Sequence, residues 1–266
     1  MATEKRIDLK RFTQDGVTLI GSGTAASGGV TFCFTERTGG VSRPPFASLN
    51  LGLKGGDDAA CVLENRRRVL CAMGAPDLVD TLALPNQTHG SEVAVISRAG
   101  ELPPGLSQDA DAVVCTVPDQ AVMLLVADCT PVVLTCPGGF ALVHSGWRGT
   151  LAGISGKAAR VLAQVSGAEA SQVQAFIGPH ISGASYEVSQ ELLDRFVEVF
   201  GQTAVWGPRH LDLGACVRAS LEGAGVPAAS ILDTRLCTAQ LTDRFFSHRA
   251  EMGKTGRHAA VAFMRP

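Results

Sequence analysis

Apolar residues in this chain fall into short runs of four to seven positions, separated by glycine, proline or charged breaks. Runs rich in Val, Ile and Phe at Val30–Thr35, Val93–Ile96, Ala112–Cys115, Ala121–Ala127, Pro131–Thr135, Phe140–Val143, Val173–Ile177 and Ala259–Phe263 predict strands. Several are apolar at consecutive positions, as strands covered on both faces are. Asp57–Met73 opens on acidic residues, stops before Gly74 and carries Val62, Val69 and Met73 at near-helical spacing, which predicts a helix. Three further helices are predicted over Thr150–Val165, Ser189–Phe200 and Leu211–Ala224. In the second, Ser189 is the cap, Gly201 the stop, and Leu192, Leu193, Phe196, Val197 and Phe200 form one stripe. No repeat with a period of about 20–50 residues is visible. The Gly/Pro-rich pieces Gly39–Pro45, Gly100–Gly105 and Pro137–Gly139 are too short for interdomain linkers. The expectation is one domain spanning residues 1–266, of mixed α/β (α+β) class.

Composition narrows the classes. A chain of 266 residues with 45% hydrophobic content can bury most of its unfolded surface, roughly 75%. Twenty-three basic against 25 acidic side chains, a net charge of −2, leave no electrostatic footprint for nucleic acid or an anionic membrane. The amino terminus alternates charges without the apolar core of a signal peptide, and the apolar run after Ala121 ends at Asp128. A cytoplasmic, unanchored protein is expected. Eight scattered cysteines without a CxxC pair fit reduced thiols, most of them filling the core.

Chemistry concentrates at three strand exits. His89 lies in Asn86-Gln87-Thr88-His89-Gly90, Cys129 in Asp128-Cys129-Thr130-Pro131, and His144 in His144-Ser145-Gly146-Trp147-Arg148-Gly149. Imidazole and thiolate are the ligands zinc prefers, and three of them leave a fourth tetrahedral position open. The separations of forty and fifteen residues are unlike those of compact structural zinc modules. On residue type and spacing alone, metal ligands and hydrogen-bonded structural residues both remain open.

Longer strings carry a resemblance. Thr35-Glu36-Arg37-Thr38-Gly39-Gly40-Val41-Ser42 runs into Ser48-Leu49-Asn50-Leu51-Gly52, followed by Gly56-Asp57-Asp58 and Glu64-Asn65-Arg66. Then come Gln87-Thr88-His89-Gly90, Ala110-Asp111-Ala112, Ala127-Asp128-Cys129-Thr130-Pro131 and the His144 string. Ile177-Gly178-Pro179 with Tyr186-Glu187-Val188, Phe245-Phe246-Ser247-His248-Arg249 and Thr255-Gly256-Arg257 complete the order. Over about residues 30–264 the chain resembles the laccase-domain family, also called multicopper polyphenol oxidoreductases, which includes purine nucleoside phosphorylases and a peptidoglycan-editing factor.

The resemblance implies a layered sandwich of mixed sheets covered by helices, like the catalytic domain of cytotoxic necrotizing factor. It implies zinc on His89, Cys129 and His144, with copper disfavoured. The implied activity is phosphorolysis of adenosine, inosine and 5′-methylthioadenosine, with adenosine deamination beside it. The partners are then a nucleoside and inorganic phosphate, in a monomer or dimer. Arg37, Asn50, Gln87 and Arg148 are the candidates for substrate and phosphate. Arg148 either presents its planar fork to an anion or ribose, or stacks on Trp147 while paired with a carboxylate. Arg37 is a second anion candidate or a surface turn residue. Asp128 either orients a metal ligand or bonds backbone amides in its turn. His180 and His248 depart from the family pattern; the former is an extra pocket group or simply hydrogen-bonded. Arg66-Arg67-Arg68 reads as a solvated helix face beside Glu64. Two rivals stand: an amide hydrolase acting in peptidoglycan-precursor editing, either metal-dependent or with Cys129 as nucleophile and His144 or His89 as base, and a noncatalytic binding protein. A multicopper oxidase needs more imidazoles than six scattered histidines supply.

Overall fold

The computed structural model describes residues 9–22, 29–98 and 105–266, which leaves nearly all of the amino-terminal stretch and most of Gly100–Gly105 outside the described residues. Seven strands form one mixed sheet: β1 (Lys10–Gln14), β2 (Val17–Gly21), β3 (Val30–Thr35), β4 (Ala83–Asn86), β6 (Gly105–Asp109), β8 (Val122–Val126) and β15 (His258–Met264), in spatial order β1-β2-β3-β15-β8-β4-β6. Six form another: β5 (Val93–Ile96), β7 (Ala112–Cys115), β9 (Thr130–Cys136), β10 (Gly139–Ser145), β11 (Gln174–Ile177) and β14 (Ile231–Asp233), in order β14-β11-β9-β10-β7-β5. A short ribbon pairs β12 (Val205–Gly207) with β13 (His210–Leu211). The helices are α1 (Ala59–Ala72), α2 (Trp147–Leu151), α3 (Ile154–Ser166), α4 (Gln190–Phe200) and α5 (Leu213–Glu222).

Strand alternation explains the layering. In β15, Ala260, Ala262 and Met264 enter a core with Phe32, Phe34, Phe140, Leu142 and Phe176, which come from both sheets. Ala259, Val261 and Phe263 point the other way, into a core with Val17, Leu19 and the α1 residues Val69 and Leu70. In β10, Phe140 and Leu142 face the other sheet, whereas Ala141 and Val143 pack on Ile154, Ala158 and Leu162 of α3 and Val217 and Leu221 of α5. The result is helix, sheet, sheet, helix: a layered sandwich of mixed sheets with apolar residues on both strand faces.

Differences from the sequence reading have local causes. The helix expected over Thr150–Val165 is two, because Gly153 takes φ 72° and turns the chain between α2 and α3. The helix expected from Leu211 starts at Leu213: Leu211 pairs in β13, and the Asp212 carboxylate caps by accepting from the Ala215 N–H at 2.9 Å. Ser189 caps α4 as expected, accepting from the Leu192 N–H at 3.2 Å. The arginine run of α1 divides. Arg67 and Arg68 pair with Glu64, but Arg66 lies on the buried side with Val62 and Val69, 8% exposed, so it is no part of a solvated face.

Candidate active site

The chain passes from one sheet to the other between β4 and β5, between β6 and β7, and between β8 and β9, and each crossing deposits a polar side chain at one end of the sandwich. His89 follows β4, Asp111 precedes β7, and Cys129 sits between β8 and β9, while His144 closes β10 just before α2. The ligand-type atoms of His89, Cys129 and His144 lie within 4.8 Å of one another, and the two imidazoles meet edge to face with ring centroids 4.8 Å apart. His89 and Asp128, which precedes Cys129, hold φ of 60° and 81°, a conformation that side chains rarely adopt unless the surroundings impose it. Gly146 backs the cluster. A Cβ there would stand 3.1 Å from His89 Cδ2 and 3.2 Å from Cys129 Sγ, so glycine keeps this space open.

Asp111 ties these pieces together. Its Oδ1 lies 2.7 Å from His144 Nδ1 and accepts from the His89 N–H at 3.0 Å. Its Oδ2 accepts from the Gly90 N–H at 2.7 Å, the Thr88 N–H at 3.0 Å and the Thr88 hydroxyl at 3.1 Å. The carboxylate thus fixes the His89 loop and turns the other face of the His144 ring toward Cys129. Burial alone would raise the carboxyl pKa, yet the hydrogen bonds from His144, Gly90 and Thr88 bring it down to about 2. Burial likewise opposes charge on Cys129 and His144, but their mutual attraction prevails, helped by His89 on the thiol and Asp111 on the imidazole. The thiol is held below its ordinary value and the imidazole above.

The cluster lines a cavity of about 620 Å³, within the range of small-molecule sites. Asn50, Gln87, Arg148 and His248 also line it; Arg37 and His180 do not. Arg37 is turned inward as a structural clasp: it donates to the carbonyls of Ala47 and Thr242, pairs with Glu251 at 3.1 Å and lies 4.3 Å from the Phe246 ring centroid. It thus stands outside this cavity, its donors engaged by protein groups. Gln87 exchanges two hydrogen bonds with the backbone of Leu125, and Asn50 is engaged by Gly52, Asp57 and Arg257, so both shape the wall with their amide groups already committed. Arg148 is exposed and stacks 4.4 Å over Trp147, with no carboxylate partner among the described residues. Asp128 accepts from the Thr238 hydroxyl and the Arg249 N–H, both at 2.6 Å, and so holds a neighbouring loop. His180 is buried, its Nδ1 2.8 Å from the Gly178 carbonyl and its Nε2 close against Gly214.

Lining residues to which sequence reasoning gave no role are Lys54, Arg66, Tyr186, Arg249 and Arg257. Arg249 and Arg257 stand inside the strings that carried the resemblance, so their positions were in view while their shared cavity was not. Arg66 was hidden in a basic run. Asp111 sits in the Ala110-Asp111-Ala112 string, but its bond to His144 spans 33 residues.

Fold and site together define a class, a two-sheet α/β sandwich with a Cys/His cluster at the sheet crossings. The chain belongs to the multi-copper polyphenol oxidoreductase laccase family, whose model matches residues 31–265. It is 35% identical over 237 residues to a purine nucleoside phosphorylase of Deinococcus radiodurans, covering 87% of this chain and 88% of that one. It is also 35% identical to a purine nucleoside phosphorylase of Streptomyces coelicolor, over 89% of this chain and 96% of the relative. The crystal structure of YlmD from Geobacillus stearothermophilus superposes with a TM-score of 0.86 at 28% identity, covering 98% of this chain and all of that one. The Bacillus licheniformis protein YfiH gives 0.85 at 29% identity, covering 97% and 99%.

Proposed function

We propose that the protein is a zinc-dependent purine nucleoside phosphorylase acting on adenosine, inosine and 5′-methylthioadenosine, with deamination of adenosine as a second activity. The observation that carries this reading is the His89/Cys129/His144 cluster in a cavity whose lining includes Lys54, Arg66, Arg148, Arg249 and Arg257, none of them ion-paired among the described residues. The relatives named above, at 35% identity over most of the chain, support the choice of substrate class.

The donor set suits zinc: one thiolate and two imidazoles close enough to share an ion, with Gly146 leaving room beside them. Bound there, zinc would supply a Lewis acid facing the cavity. Asp111 keeps His144 in one orientation, as partners of ligating imidazoles do. The cationic wall holds phosphate against the anomeric carbon and offsets its charge as the bond to the base breaks. Apolar lining from Pro85, Leu125, Val126, Ile181 and Leu213 suits a flat base and keeps water from its face. A laccase needs a blue-copper centre and a separate copper cluster; the described residues, which include all six histidines, hold one group of three or more potential ligands.

One observation favours a second reading. Cys129, His144 and Asp111 stand in line as thiol, imidazole and carboxylate, the order of a cysteine hydrolase acting on amides, as in peptidoglycan-precursor editing. Metal analysis of the purified protein, then chromatography of products from the three nucleosides with and without phosphate, separates the readings. The zinc enzyme is expected to carry about one zinc per chain, to release base only with phosphate and to stop on chelation, and Cys129→Ser is expected to lose the metal. Turnover after chelation, with an adduct on Cys129 found by mass spectrometry, would establish the hydrolase instead.

A further inference from the structure

We propose that the buried guanidinium of Arg66, together with Arg257 lining the same cavity, is the anion site of this cavity and takes a phosphoryl dianion. Arg66 projects from the buried face of α1 and donates through Nε and Nη2 to the Leu51 carbonyl at 3.0 and 2.8 Å, leaving Nη1 for the cavity it lines. Leu51 also binds the second arginine, since its N–H donates to the Arg257 carbonyl at 3.0 Å. The Arg257 side chain donates through Nη1 to the carbonyls of Thr255 and Gly256, and its Nε and Nη2 have no hydrogen-bond partner among the described residues. Gly52 lets this stem pass, for a Cβ there would stand 2.9 Å from Arg257 Cγ.

What singles out Arg66 is buried charge without a counter-ion, while Arg257, half-buried, feels only Cys129 and Asp128 at longer range. Elsewhere, Arg11 and Arg244 pair with Glu36, Arg67 and Arg68 with Glu64, and Arg265 with Asp77 and Asp119. Among the described residues, Arg66 and Arg257 have no carboxylate within ion-pair distance, and the nearby Asp57 takes its hydrogen bond from Asn50 instead. Burial lowers the pKa of Arg66 to about 10, and lowers that of Arg257 against the pull of Cys129 and Asp128. A guanidinium withdrawn from water without a partner is costly, and an oxyanion accepting from its fork offsets that cost. Arg148, the fork favoured from sequence, is exposed on α2, so water already solvates its charge.

The site rests on the proposed phosphorolysis only for naming inorganic phosphate as its occupant; the 5′-phosphate of a nucleotide has the same chemistry. The test is calorimetric titration of the metal-loaded protein with inorganic phosphate and, separately, with adenosine 5′-monophosphate, using wild type, Arg66→Lys, Arg257→Gln and Arg148→Lys, each checked for folding by circular dichroism. Saturable binding of phosphate is expected, weakened about tenfold or more in Arg66→Lys and Arg257→Gln through loss of the paired donors, and less than threefold in Arg148→Lys. Saturation by the nucleotide alone, lost in the same two variants, would support the site and assign it to a 5′-phosphate. Wild-type affinity for both anions in both folded variants, or a larger loss in Arg148→Lys, would overturn it. Release of base from inosine without phosphate would defeat the phosphorolysis reading, while the isotherms would still judge the anion site.

Discussion

At the scale of single residues, both oxygens of Asp111 are occupied by donors from the two segments that carry His89 and His144. In Asp111→Asn the amide NH2 would meet some of these donors, and the imidazole would lose its anionic partner. The variant is expected to bind zinc about 10–100-fold more weakly, read by competition against a chromophoric chelator, with the circular dichroism of the wild type. Equal affinity would mean that the carboxylate merely holds the loop. His89, Cys129 and His144 were legible because each closes a short string beside a glycine or proline break. Asp111 and Arg66 were not. Their partners lie 33 and 15 residues away, and three consecutive arginines look alike until the helix turns them. At about 100° per residue, Arg66 faces inward and Arg67 outward.

At the scale of elements, the central strands could be read because they are apolar at nearly every position, as in β9 and β10, where all seven residues are buried. Several of those missed lack that signal: β1 is mostly exposed, β14 has three residues, and β4 contains Pro85, which argues against a strand, whereas β2, five residues all buried, carries it and was missed nonetheless. The break between α2 and α3 was missed because Gly153 lies within an otherwise helical pattern, where glycine is tolerated and only its φ of 72° shows the turn. Gly153→Ala would force a side chain into the left-handed region at roughly 1–2 kcal/mol. Chemical denaturation is expected to show that loss of stability with zinc content unchanged, because the cluster is held by Gly146 and Asp111 rather than by this turn. An unchanged midpoint would mean that α2 and α3 can join without cost.

At the scale of the whole molecule, the two ends of the described chain are clasped across the sandwich, and this predicts how it responds to acid. Glu36, fully buried after β3, binds Arg11 of β1 and Arg244 near the carboxyl end. Burial opposes its charge, but the two arginines prevail and hold its pKa below the ordinary 4.5. Its contribution is present above 4.5 and is lost as pH falls through the lowered folded value. His258 opens β15 fully buried against Phe245. Burial, with Arg257 and Arg37 nearby, pushes its pKa from 6.5 down to about 3. Between those values the unfolded chain binds a proton that the folded chain refuses, so stability falls as pH drops, starting near 6.5 and well before Glu36 takes part. The two windows can therefore be separated. Urea denaturation from pH 7 to 4.5 is expected to give a steeper loss in wild type than in His258→Leu, the slopes differing by up to about 1.4 kcal/mol per pH unit, the value for one proton. Below 4.5 both curves should steepen together as Glu36 is protonated. Parallel curves between pH 6.5 and 4.5 would mean that His258 takes up its proton in the folded state as readily as in the unfolded one.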